Sequence, residues 1–298
     1  MNILYKYYSS EFDIEKHLKC PSIKLANTAS FNDPFEGVPS DKFIEYLVDK
    51  ILVHNKIKNE EIKEQYKKSF IKKNNAYGVI SLTETHRNML MWAHYASSHK
   101  GVCIGYDINF MPKKRFDQHP IDNLYDGLPK KVTYDRARFD ESYFDYSLEL
   151  KEDYDTFIYK CMMQALTIKG DEWIYEKEHR CIIPFSYADR CLLNSNYNVE
   201  QFLYDGGLIK DKHGYLFSNN LPDSLLRYAF AANHQCSMLI DINIEHIKSI
   251  YFGSQSNIDT MELIIELVKS TPEKFKHIKL YKYSVSNSLF DLNITSLN

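Results

Sequence analysis

Glycine and tryptophan are scarce in this chain of 298 residues, which has 10 Gly and 2 Trp. So little glycine excludes a collagen-like or glycine-rich low-complexity chain and makes each Gly a candidate for a turn or a close backbone approach. No apolar run reaches the roughly 18–20 residues that span a bilayer, and no basic region followed by an apolar stretch opens the chain, so a cytoplasmic protein of bacterial type with no membrane partner is expected. The six cysteines, at 20, 103, 161, 181, 191 and 236, are dispersed without a Cys-x-x-Cys pair, which fits reduced thiols and argues against a zinc cluster. Excess charge of either sign is missing as well. With 37 Lys+Arg against 40 Asp+Glu the formal net charge is −3, so no global basic surface exists to hold duplex DNA, and nucleic acid could be held only by a local patch. His86, His94 and His99 lack the spacing of zinc ligands, and no metal is expected.

What the chain has in plenty is tyrosine, 23 residues, each with an apolar body and a polar tip suited to stacking on a base or a nicotinamide. A Tyr- and Lys-rich, Gly-poor composition equally follows from an AT-rich genome. Trp173 to Pro184 reads as a strand. Alternation then puts Glu176, Glu178 and Arg180 on one face, about 6.5–7 Å apart, where Glu178 raises the pKa of Glu176 and Arg180 lowers that of Glu178. Such a triplet tunes acids and bases in a site, and it also occurs on the solvated face of an edge strand.

Along the chain, strands are expected at 3–8, 23–27, 76–83, 100–107, 131–134, 247–253 and 277–285, with short helices at 14–18 and 88–96. Two helices joined near His54-Asn55 account for 41–74, the second with a lysine-rich face that reads first as solvated and second as RNA-facing. Asn-Asp-Pro and Gly37 force a turn that leaves Asn32, Asp33 and Glu36 on a loop. Gly101 and Gly105 suggest close backbone approach. Residues 113–170 read as an insertion or lid ending in a long helix from about 149 to 168. A further helix falls around 225–229. The end of the chain is a βαβ-like unit, in which Gly253 to Ser256 precedes a helix N-terminus that either holds a phosphate or is simply capped by Ser256 or Asn257. No repeat or linker divides the chain, so one α+β domain over 1–298 is expected, with a twisted, mainly antiparallel or mixed sheet.

Phe31-Asn32-Asp33-Pro34-Phe35-Glu36, then Met91-Trp92-Ala93-His94-Tyr95 with Lys100-Gly101-Val102-Cys103-Ile104, then Trp173-x-Tyr175-Glu176-x-Glu178-x-Arg180, resemble a bacterial family of unknown function. A weaker resemblance is to ADP-ribosyltransferases, whose split sheet sets a first-strand polar residue, a second-strand Ser/Thr or aromatic and a late-strand Glu around NAD. That resemblance implies Glu178 as catalytic carboxylate, stabilising an oxocarbenium-like transition state, with Glu176 orienting the acceptor. Thr28 or Ser30 would stand for the second-strand hydroxyl and Tyr5 or Tyr7 for aromatic support, with only Lys6 as a polar residue in the first strand. In that role Asn32, Asp33 and Arg180 are expected to bind or position, Arg180 beside the catalytic Glu being no hallmark of that family. The implied protein is a toxin or anti-phage effector that uses NAD to modify nucleic acid or protein, with an antitoxin or sensor as a regulating partner.

Two other readings fit the same residues. Asp33, Glu36, Glu176 and Glu178 suit a Mg²⁺-dependent nuclease of a defence system. Trp92, Tyr95 and Trp173 suit aromatic anchors of a non-catalytic sensor for a nucleotide or a protein, unless the two Trp are core. The site readings share one expectation: Asn32, Asp33 and Glu36 converge on Glu176 and Glu178.

Overall fold

A computed structural model describes residues 2–111, 127–139, 154–193, 209–210, 216–217 and 236–298. The helix expected around 225–229 lies outside these residues, as do 113–126 and 140–153 of the expected insertion and the first turn of its helix.

Strand β1, Ile3–Tyr8, alternates between two buried environments. Leu4 enters the main apolar core, while Tyr7 enters a second cluster with Trp92, Tyr251 and Tyr283, so both faces of this strand are covered. Helix α1, Ile14–Lys19, is capped by Asp13, whose carboxylate accepts the Lys16 N–H, and leads into β2, Ser22–Asn27. Ser40 and Asn59 cap α2, Asp41–His54, and α3, Glu60–Asn74, and the break between them falls where the apolar period restarts. Helix α2 buries Phe43, Ile44, Leu47, Val48, Ile51 and Leu52. Lys63 and Lys67 of α3 pair with Asp49, Glu45 and Glu64 on exposed faces, the solvated arrangement.

Next come β3, Tyr77–Thr83, α4, Met89–Tyr95, and β4, Val102–Asp107. The stretch expected as one strand near 131–134 is two, β5, Lys130–Lys131, and β6, Thr133–Asp135. Helix α5, Tyr154–Leu166, is followed by β7, Ile168–Gly170, and β8, Glu178–Pro184. The region after Pro184 contributes β9, Arg190–Leu193, β10, Ile209–Lys210, β11, Leu216–Phe217, and β12, Cys236–Asp241. The βαβ unit is β13, Ile247–Phe252, helices α6, Ile258–Ser270, and α7, Pro272–Phe275, and β14, Lys279–Val285. Its strands pair in parallel, Ser249 opposite Lys279, and β15, Leu292–Ser296, closes that edge. Asn257 caps α6 by accepting the Thr260 N–H, so ordinary capping accounts for the Gly253–Ser256 turn. A Cβ on Gly101 would lie 2.0 Å from the Tyr8 carbonyl oxygen, so any side chain there would force the backbone to shift.

The fold is α+β, built on a mostly antiparallel sheet that has thirteen strands among the described residues. Strand β3 is its organising element. Along one edge β8 pairs with all of it, from Tyr77 opposite Pro184 to Thr83 opposite Glu178. The other edge is shared: β2 holds its start, Asn27 opposite Gly78 and Ala26 opposite Val79, and β1 holds its end, Tyr5 opposite Thr83. Between those contacts the sheet forks. One wing runs β1-β4-β13-β14-β15, the other β2-β12-β9-β11-β10. In the gap the Lys6 ammonium donates to the Ser81 carbonyl at 3.0 Å.

The expected strand from Trp173 is half wrong. Asp171–Glu176 is a 3₁₀ turn and Lys177 is left-handed, φ 47°, so the strand begins only at Glu178. Tertiary hydrogen bonds outweigh the alternating pattern there: Thr83 Oγ1 donates to the Glu176 carbonyl at 2.5 Å and Asn88 Nδ2 to the Tyr175 carbonyl at 2.7 Å. Glu178 and Arg180 do share a strand face, and Glu176 joins them from the turn.

Candidate active site

The fork opens on a cleft of about 290 Å³. Strand β1 supplies Tyr5, Lys6 and Tyr7, the β2 end supplies Ala26, and β3 supplies Ser81, Leu82 and Thr83. The loop after β2 adds Ser30, Phe31, Asn32 and Glu36; Met91 and Tyr95 come from α4, and Lys169, Trp173, Glu176 and Glu178 from the β7–β8 segment.

Its floor is an ionic cluster. Lys169 Nζ lies 2.6 Å from Glu176 Oε2 and 3.2 Å from both Glu178 Oε2 and Glu36 Oε2, under the Trp173 ring at 4.9 Å. Arg180, wholly buried, donates from Nε to Glu178 Oε1 and from Nη2 to Glu178 Oε2, both at 2.9 Å, from Nη1 to the Leu166 carbonyl at 2.6 Å, and also pairs with Glu36. Tyr95 OH donates to Glu176 Oε1 at 2.5 Å and also bonds the Asn32 side chain. The Glu178 N–H donates to Tyr134 OH at 2.7 Å. Three carboxylates and two cations, drawn from a loop, a turn and two strands, thus share one buried cluster. Such a cluster is stable only because every charge has hydrogen-bonded partners.

The cluster drives two of its acids apart. Burial pushes Glu178 up, but Arg180 and Lys169 outweigh it and bring its carboxyl down to about 2. Glu36 goes the other way, because burial outweighs the same two cations and Glu178 adds repulsion. Burial would lower Lys169, yet Glu178, Glu176 and Glu36 hold it above the ordinary lysine range. Burial at the fork outweighs the favourable Glu178 and brings Lys6 down to about 8.

The expected convergence of the Asn32–Glu36 loop on Glu176 and Glu178 is found for Asn32 and Glu36. Asp33 turns away: its Oδ1 accepts the Phe35 N–H at 2.8 Å, and it lines a neighbouring cavity of about 260 Å³ with Phe35, Arg136, Arg138 and Phe139. Thr28 is also misplaced as a site hydroxyl. It is buried beneath Gly37, whose φ of 68° brings the loop back so closely that a Cβ there would lie 2.6 Å from Thr28 Cβ. Ser81 of β3 lines the cleft in its stead, while Thr83, buried beside it, gives its hydroxyl to the Glu176 carbonyl. Trp92 is core, 0% exposed, with Nε1 donating to the His86 carbonyl at 2.9 Å. Arg180 lies under the acids and offers no group to a ligand. The sequence carries no signal that sets Lys169, Ser81 or Thr83 apart. A lone lysine after a β-branched pair carries no periodic signal, and β3 reads simply as a buried strand.

Three carboxylates converge on one point, but that point is the Lys169 ammonium, so Glu36, Glu176 and Glu178 do not fit a divalent cation. Among the described residues no other group of three His, Cys, Asp or Glu is arranged to hold one.

Residues 91–181, from α4 into β8, match the model of a family described as "Protein of unknown function (DUF2971)". Over that span the chain is similar to an uncharacterised family. No curated protein and no solved structure matched the chain. Among the described residues no helix is long and apolar enough to cross a membrane.

Proposed function

We propose that the chain is a NAD-using, ADP-ribosyltransferase-like enzyme of the cytoplasm, a toxin or anti-phage effector that modifies nucleic acid or protein under the control of an antitoxin or sensor. The observation that carries this reading is the forked sheet. It brings first-strand tyrosines, Ser81 of β3, Glu176 of the turn and Glu178 at the head of β8 to one cleft. Two carboxylates whose pKa values are pushed apart are the mark of divided acid–base roles. Glu178, ionised at any physiological pH, suits the stabilisation of positive charge developing on the ribose as the C1′–nicotinamide bond breaks. Glu36 suits the acceptance of a proton from the acceptor that bonds to C1′. Tyr5 and Tyr7 give the cleft aromatic walls, and its volume suits a nucleoside-sized part of NAD. The nuclease alternative needs Lys169 displaced from its carboxylates, and the sensor alternative loses Trp92 as an anchor.

The test is release of nicotinamide from NAD, labelled in the ADP-ribose half, in the presence of nucleic acid or cell protein. Label should pass to an acceptor with the wild type and fall by about 10²–10³-fold with Glu178→Gln. NAD left intact by a correctly folded wild type over the whole acceptor range rejects the reading.

A further inference from the structure

We propose that Lys6 is a reactive amine of the cleft, which binds aldehyde-bearing ligands covalently as an imine. This site goes beyond the NAD reading and does not rest on it.

Lys6 stands on the cleft wall between Tyr5 and Tyr7. Its ammonium makes one hydrogen bond, to the neutral Ser81 carbonyl in the fork, and among the described residues no carboxylate lies within ion-pair distance of it. The cleft's three buried carboxylates are already gathered on Lys169 and Arg180. The charged and titratable groups around it come from every neighbouring element. Glu178 and Cys181 of β8 favour its charge and Lys24 of β2 opposes it. Tyr8 of its own strand presents its ring at 6.0 Å, and Glu36, Lys169, Glu176 and Tyr95 line the same cleft. Burial is the largest of these influences and brings the amine to about 8. A desolvated lysine beside another cation is the setting that activates an amine toward carbonyls. At pH 8 about half of such an amine is neutral, a fraction roughly a hundred-fold larger than for an ordinary lysine.

The step balances without oxidant or reductant. The Lys6 nitrogen bonds to the aldehyde carbon, the carbonyl electron pair moves to oxygen, and both amine protons leave with that oxygen as water. The cleft's size and aromatic walls limit the ligand to a small sugar-like or aromatic aldehyde.

The experiment treats the full chain with substoichiometric pyridoxal 5′-phosphate at pH 6.5 to 9.5, reduces with borohydride and maps the labelled lysines by peptide mass. Lys6 should be labelled on the order of a hundred-fold faster than exposed lysines at pH 8, with a half-maximum near pH 8. Lys6→Arg, which retains a donor for Ser81, should lose that label alone. Label spread over surface lysines, with Lys6 no faster than they are, overturns the proposal, and this outcome is read on the wild type whether or not the variant folds.

Discussion

Lys169 Nζ and Glu176 Oε2 meet at 2.6 Å across a turn, and the same ammonium ties Glu176 to Glu178 and to Glu36 of a distant loop. Removing it leaves three buried carboxylates against one guanidinium. Lys169→Met should therefore lose about 3–5 kcal/mol at pH 7, because uncompensated buried charge is the costliest defect. Protonation removes the repulsion, so the deficit against wild type should shrink as pH falls through 4.5. Urea denaturation at pH 7 and at pH 4.5 checks both statements.

Glu178 has its folded pKa below its unfolded value, so its stabilisation is fully present above about 4.5 and is lost as pH falls toward about 2. Glu178→Gln should lower stability at pH 7 by about 3–5 kcal/mol, since Arg180 loses its bidentate partner, and should flatten the acid limb between pH 4.5 and 2. An unaltered acid limb in the variant would refute the assignment.

Tyr95→Phe deletes one hydroxyl bonded to a buried carboxylate. A loss of about 1.5–3 kcal/mol is expected, the range for hydrogen bonds to charged groups. A double-mutant cycle with Glu176→Gln should show coupling between the two positions, and strict additivity would mean that the contact contributes nothing.

His17 is buried, with Nε2 against Tyr106 OH at 2.9 Å, and burial brings it to about 4. The unfolded chain takes up a proton near pH 6.5 and the folded chain does not, so stability should fall as pH drops from 6.5 to 4, by about 3 kcal/mol for this residue. Stability measured across that range should show the slope, and His17→Phe should reduce it. His86, which burial also brings to about 4, should account for part of what persists.

The parts of the fold legible in the sequence are those set by local period and capping. Helices α2 and α3 with their break, strands β1 to β4 and the parallel β13–β14 unit all follow from apolar spacing and Ser or Asn caps. Of the site, the face shared by Glu178 and Arg180 and the approach of Asn32 and Glu36 were legible, since a polar turn at a strand end and a charged strand face each carry a local signal. The left-handed Lys177 was not, because its backbone is set by Thr83 and Asn88, about 90 residues away. Lys169 and the fork were hidden for the same reason. Nothing in the composition of β1, β2 or β3 says that two strands share one edge of a third.

The Glu36–Arg180 pair has a consequence for synthesis. The two residues are 144 positions apart. With the ribosome adding about 5–20 residues per second, Glu36 waits roughly 7–30 s for both of its cations, Lys169 and then Arg180. Throughout that interval the nascent chain carries an acidic loop that cannot enter any apolar interior, so the cleft closes only after β8 has left the exit tunnel.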